Sequence, residues 1–141
     1  MRRGIGVLLA AALCFALLPR AEAAEVTVSA KSAVLMEAES GRVLYQKDAD
    51  TPRLIASTTK LMTALVALES GHSLDEEVTI PAEAAGVEGS SLYLKAGETV
   101  KLKTLLYGML LHSGNDAATA VALCCADSLE AFAQQMNQKA Q

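Results

Sequence analysis

Ile55-Ala-Ser-Thr-Thr-Lys-Leu-Met-Thr63 opens an uninterrupted helical pattern that runs from about Ser57 to Glu69, with Gly71 in the position that usually ends a helix. Ser57 and Lys60 stand three residues apart at its start, so a hydroxyl and an amine project from one face within reach of each other. A serine hydroxyl is a poor nucleophile until a neighbouring base takes its proton, and a lysine can take one only when neutral. A free lysine keeps its proton up to a pH of about 10.4, so poising it near about 7 to 8 means disfavouring its charge by about 4 kcal/mol. Burial at the foot of a cleft and a second nearby cation are the means available. Free N–H groups at the helix start can also face a developing oxyanion. Ser-x-x-Lys is nonetheless a common pattern, and a serine that opens a helix usually does no more than cap it.

Upstream, Ser32-Ala-Val-Leu-Met-Glu37 and Arg42-Val-Leu-Tyr-Gln46 are strand-like runs separated by the turn Ala38-Glu-Ser-Gly41, which predicts a β-hairpin. Downstream, Glu76-Glu-Val-Thr-Ile80 reads as a short strand and residues 81–89 as loop or weak helix. A second helix is expected over about Lys101 to His112, broken by Ser113-Gly114. Asn115 and Asp116 are expected to cap a third apolar helix to about Ala126, and Asp127 with Glu130 to form the capping box of a last one, still running at Gln141. One hairpin and several helices offer too few strands for a stable sheet, so the sequence reads as part of a larger α/β domain.

Ser113-Gly-Asn115 follows Ser57 by 56 residues, at a break between apolar helices where polar side chains can turn into a cleft. A hydroxyl there can pass a proton to a leaving amine, and a carboxamide can hold a substrate amide by donating and accepting at once. The plainer alternative is a helix end followed by an asparagine cap.

Composition narrows the setting. Met1 to Ala23 carries a basic start at Arg2 and Arg3, an apolar run from Val7 to Leu18, and the small-x-small pattern Ala21-Glu-Ala23, which together predict a cleaved export signal. The apolar run is shorter than the roughly 20 residues a membrane span needs. Leu13 is too bulky for Cys14 to be a lipid-attachment site. Loss of the signal moves the formal charge from −4 to −6, and scattered lysines on an acidic chain argue against nucleic acid. Cys124 and Cys125 are the remaining thiols; adjacent cysteines rarely bridge, so they read as two small buried apolar side chains. His72 and His112 sit in no zinc-type spacing, and neither a metal nor a cofactor is expected.

Ser-x-x-Lys followed by Ser-x-Asn is two-thirds of the set found in penicillin-binding proteins and class A β-lactamases; the third element is a Lys-Thr-Gly strand. Lys95-Ala-Gly97 precedes Ser113 and reads as an ordinary turn. Ala33-Val-Leu-Met-Glu-Ala-Glu-Ser-Gly-Arg-Val-Leu-Tyr45, Ile55 to Thr63, Gly89-Ser-Ser-Leu-Tyr-Leu94 and Leu111-His-Ser-Gly-Asn-Asp-Ala117 resemble, in order, the D-alanyl-D-alanine carboxypeptidases, the low-molecular-mass penicillin-binding proteins. Gly114 sides with the carboxypeptidases over class A β-lactamases, which usually have aspartate there.

The resemblance implies an α/β (α+β) fold of the β-lactamase/transpeptidase type, of which residues 24–141 supply the hairpin, the Ser57 helix and most of the helical region. It implies Ser57 as nucleophile, Lys60 as base, Ser113 as proton relay and Asn115 as the substrate-positioning residue. The implied partners are peptidoglycan stem peptides ending in D-Ala-D-Ala, β-lactams as covalent inhibitors, and the membrane through a C-terminal tail found in many relatives. It implies a place in the cell envelope. Tyr93 is read as a packing residue as readily as a site residue. A β-lactamase and a non-catalytic scaffold in which Ser57 is only a cap are the rival readings. Residues 24–141 alone are expected neither to fold well nor to turn over substrate.

Overall fold

A computed structural model describes residues 26–141, so the export signal lies outside the described residues. The chain divides after Pro52 into two compact units. In the first, β1 (Ala33–Met36) and β2 (Val43–Lys47) pair antiparallel, with Leu35 opposite Tyr45 and a register shift between Leu35 and Met36. The hairpin is the expected one. Its turn is organised by Glu37, whose carboxylate accepts from the N–H groups of Glu39 (2.9 Å) and Ser40 (2.7 Å) and from the Ser40 hydroxyl. Those bonds hold the Glu37 carboxyl below its ordinary range, the Ser40 hydroxyl contributing most. Gly41 takes the left-handed conformation (φ 69) that lets the chain return to β2.

The second unit begins with a single 3-10 turn, Ala56–Thr58, that runs into α1 (Thr59–Glu69). β3 (Glu77–Thr79) pairs antiparallel with β4 (Thr99–Lys101). Then come α2 (Leu102–Leu111), α3 (Asn115–Cys125) and α4 (Leu129–Lys139). The mixed α/β class and the order of elements are as the sequence implies. β4 is an addition, a three-residue strand immediately before α2 whose pairing with β3 sequence periodicity could not register.

The core of this unit joins Ala64 and Ala67 of α1, Val78 and Ile80 of the β3 segment, Leu102, Leu105 and Met109 of α2, and Ala117, Ala120 and Val121 of α3. Small residues on α3 bring the helices close, since packing distance between helices follows side-chain size at the contact. Gly108 on α2 allows a close approach by a loop instead. An added Cβ there would lie 2.1 Å from Leu92 Cδ1, so the loop before β4 rests directly on the helix backbone. Gly108→Ala is therefore expected to destabilise by about 1–3 kcal/mol through overpacking, although alanine is the better helix former. A lowered urea midpoint with unchanged slope is the expected reading; an unchanged midpoint would contradict the contact.

Three local expectations are corrected. Neither Asn115 nor Asp116 is the N-cap of α3: that residue is Gly114, in an extended conformation, the Asn115 side chain is engaged elsewhere, and Asp116 takes one first-turn N–H, that of Ala117, beside its bonds outside the helix. The α4 cap is Ser128, whose hydroxyl accepts from Ala131 N–H at 3.1 Å, one residue beyond the expected Asp127. α4 ends at Lys139 and does not continue through Gln141. Lys95-Ala-Gly97 is a turn as read, closed by Glu98 N–H to the Lys95 carbonyl at 3.1 Å. Cys124 and Cys125 are free thiols at the end of α3, only half-buried. Burial pushes the Cys124 thiol up to about 11.

Candidate active site

Ala56, just before Ser57, holds a positive φ of 47, and this bend starts the 3-10 turn that presents Ser57 at the surface. The turn uses the N–H groups of Thr58 and Thr59, which bond back to Ile55, Ala56 and Ser57 carbonyls, so those two are not left free for an oxyanion. Ser57 does not act as a cap. Its Oγ lies 2.5 Å from Ser113 Oγ.

Ser113 follows the end of α2 with φ 56, where glycine would be the unstrained choice. A side-chain-bearing residue in that region costs on the order of 1–3 kcal/mol. The left-handed backbone aims both the Ser113 hydroxyl and its carbonyl at Lys60. Lys60 Nζ donates to the Ser113 carbonyl, to Ser113 Oγ (2.9 Å) and to Asn115 Oδ1 (2.7 Å). An ammonium has three donors, and these three acceptors match them. The connection from Ser57 to Lys60 thus runs through the Ser113 hydroxyl.

Lys60 is 9% exposed, on the first turn of α1. Burial lowers its pKa from the ordinary lysine value, and the negative charge of Asp116 pushes the other way without cancelling the shift. Asn115 is held from its other end, Nδ2 donating to the Glu88 carbonyl at 2.7 Å while its backbone N–H donates to the Ser90 carbonyl at 2.7 Å. Gly89 makes room for this: a Cβ there would stand 2.6 Å from Asn115 Nδ2. The four predicted residues therefore meet, around a cleft of about 440 Å³ also lined by Thr59, Thr63 and Ser90.

Sequence reasoning missed Asp116, read only as a cap. Its carboxylate is fully buried and accepts from Ser91 Oγ (2.7 Å) and from the N–H groups of Leu92 (3.0 Å), Leu94 (3.0 Å) and Ala117 (2.8 Å). Burial raises its pKa, but the bonds from Leu92, Leu94, Ser91 and Ala117 outweigh it and leave the carboxyl below its ordinary range. The signal was present: Asp116 sits four residues before Ala120 on the buried stripe of α3. Tyr93, by contrast, is 86% exposed with φ 61, so it is not a packing residue.

The sequence profile of the peptidase S11 family, D-alanyl-D-alanine carboxypeptidases, matches residues 19–141. The chain belongs to this family. It is 38% identical to D-alanyl-D-alanine carboxypeptidase DacF of Bacillus subtilis over 141 residues, which cover 97% of this chain and 36% of that protein. It is 37% identical to DacC of Escherichia coli over 147 residues, 94% of this chain and 37% of that protein. Among solved structures, the D-alanyl-D-alanine carboxypeptidase of Mycobacterium tuberculosis matches with a TM-score of 0.77 at 30% identity, over 86% of this chain and 46% of that one. DacD of Francisella tularensis matches with a TM-score of 0.76 at 35% identity, over 87% and 32%. This peptidase S11 chain thus spans little more than a third of the curated relatives' length.

Proposed function

We propose that the protein is a serine D-Ala-D-Ala carboxypeptidase that removes the terminal D-alanine of peptidoglycan stem peptides through an acyl-enzyme on Ser57. The observation that carries this reading is the continuous path from Ser57 Oγ through Ser113 Oγ to Lys60 Nζ, at the mouth of a cleft shared with Asn115. Ser57 Oγ attacks the carbonyl carbon of the penultimate D-alanine and its proton passes by way of Ser113 to neutral Lys60. The C–N bond then breaks, and the same proton returns through Ser113 to the departing amine. Water attacks the Ser57 ester, its proton taken up by the same path, and the shortened peptide leaves with Ser57 restored. Asn115 keeps a second Nδ2–H and a second Oδ1 lone pair for a substrate amide while its bonds to Glu88 and Lys60 hold it in place.

β-Lactams fit the same scheme, because their amide nitrogen stays tethered after ring opening and cannot diffuse away. The export signal read over Met1–Ala23 supports action outside the cytoplasmic membrane, in the cell envelope. A C-terminal tail of the kind the resemblance implies would keep the enzyme at the membrane. Among the described residues no helix is long and apolar enough to cross it.

The full-length protein is the material for the test. It is expected to be labelled by fluorescent penicillin on the peptide containing Ser57, to hold the label for long periods, and to release D-alanine from a D-Ala-D-Ala peptide. Rapid loss of the label with no D-alanine released would identify a β-lactamase, and no labelling at all a scaffold. Gly89→Ala, which drives a methyl group against Asn115 Nδ2, is expected to slow acylation about tenfold, the worth of about one misplaced hydrogen bond. A rate within twofold of the parent would mean that Asn115 does not need its bond to Glu88.

A further inference from the structure

At the ends of α1 and α3 remote from Lys60 and Asn115, the structure gathers three soft or borderline ligands, His72 and, 52 residues on, the adjacent pair Cys124 and Cys125. A ring nitrogen of His72 and the Sγ atoms of Cys124 and Cys125 all lie within 4.8 Å of one another. His72 follows the glycine that ends α1, and the two cysteines are the last residues of α3. All three are half-buried.

Second, His72 is already oriented. Its Nδ1 lies 2.9 Å from Glu76 Oε2. A carboxylate only accepts, so a neutral ring making this contact carries its proton on Nδ1 and offers the lone pair of Nε2, the arrangement in which metal-bound histidines are usually held. Ser70 adds a further tie, with Cys125 Sγ 3.7 Å from its hydroxyl.

We propose that His72, Cys124 and Cys125 form a zinc site, with Glu76 fixing the His72 ring and solvent in the fourth position. Two thiolates and an imidazole are a ligand set that Zn²⁺ favours. A tetrahedral zinc with Zn–S of about 2.3 Å and Zn–N of about 2.0–2.1 Å sets its ligand atoms about 3.5–3.8 Å apart. The present limit of 4.8 Å is about an ångström wider than that. Each thiol gives its proton to solvent on binding, so the two thiolates balance the ion's charge. The consequence is structural: the ion staples the turn after α1 to the end of α3, the two helices whose opposite ends carry Lys60 and Asn115.

The test uses full-length protein with its thiols reduced, titrated with Co²⁺ and then Zn²⁺. One equivalent of Co²⁺ should give the visible bands of a tetrahedral site and a thiolate charge-transfer band, all displaced by Zn²⁺. Cys124→Ser, Cys125→Ser and His72→Ala should each lose the spectrum, and Glu76→Gln should weaken binding about 10–100-fold. His112→Ala should change nothing. X-ray absorption of the zinc form should show two sulfurs and one imidazole nitrogen, which reads the ligand set without any substitution. Zinc should raise the Tm of the parent and not that of Cys124→Ser, with matching far-UV circular dichroism for both. Absence of the cobalt bands from the parent, a spectrum that survives in Cys124→Ser, or a Cys124–Cys125 disulfide in protein isolated from cells would each overturn the proposal.

Discussion

Ser57→Ala is expected to abolish covalent labelling by penicillin in the full-length protein, and Lys60→Met to slow acylation of the intact Ser57 by about 10²–10⁴-fold. The middle of that range is about 4 kcal/mol of transition-state stabilisation. Because Lys60 meets Ser57 by way of the Ser113 hydroxyl, Ser113→Ala should cost a similar factor. Groups that act as one unit are not additive, so Lys60→Met combined with Ser113→Ala should be little worse than either alone. The pH dependence has a definite sign. Lys60 serves as a base only when neutral, so acylation should rise with pH through the lowered pKa of Lys60, and this limb should vanish in Lys60→Met. Stopped-flow acylation rates check all of this. A Ser113→Ala variant slowed less than tenfold would sink the relay and require direct proton transfer from Ser57 to Lys60.

The second large effect concerns stability. Asp116→Ala is expected to cost about 2–4 kcal/mol, because it strands the half-buried N–H groups of Leu92 and Leu94, at about 1–2 kcal/mol each, along with the Ser91 hydroxyl. That is a large part of the 5–15 kcal/mol margin typical of a domain. Asp116→Asn keeps the shape but turns an amide donor towards other donors, and should cost nearly as much.

The folded Asp116 carboxyl titrates below its unfolded value, so the folded state binds fewer protons. Its contribution is therefore complete above the ordinary aspartate range near about 3.9, and is lost as pH falls from there through the folded pKa. Urea melts of the parent should weaken over that acid window more steeply than those of Asp116→Asn. If Asp116→Asn melts within about 0.5 kcal/mol of the parent at neutral pH, the carboxylate is not the anchor described.

The hairpin and the helices were legible because their signals are local: Gly41 and Gly71 mark ends, and apolar spacing marks faces. That Ser57, Lys60, Ser113 and Asn115 share one cleft agrees with the order in which the resemblance lists them, and it was the resemblance, not their spacing, that implied a relay at Ser113. Nothing in Ser57-Thr-Thr-Lys60 indicates that the hydroxyl reaches the amine through a third residue 53 positions beyond the lysine. Asp116 was misread because an acidic residue opening a helix fits a cap, and only the tertiary fold shows that its oxygens turn instead to Ser91, Leu92 and Leu94. The proposed grouping of His72 with Cys124 and Cys125 has no counterpart in the sequence for a related reason, since metal motifs are recognised by short spacings and these residues are brought together only where two helix ends meet.

The buried Asp116 carboxylate also bears on how the cleft is kept in working order. The segment it holds, Ser91 to Leu94, directly follows Ser90, whose carbonyl receives the Asn115 N–H, and Glu88, whose carbonyl receives the Asn115 side chain. An opening that frees the amides of Leu92 and Leu94 for hydrogen exchange is therefore expected to loosen Asn115 as well. On the proposed function, readiness for catalysis would then rest on a small cooperative opening more than on one side chain choosing a rotamer, and the exchange rate of two loop amides would count how often the site disarms itself.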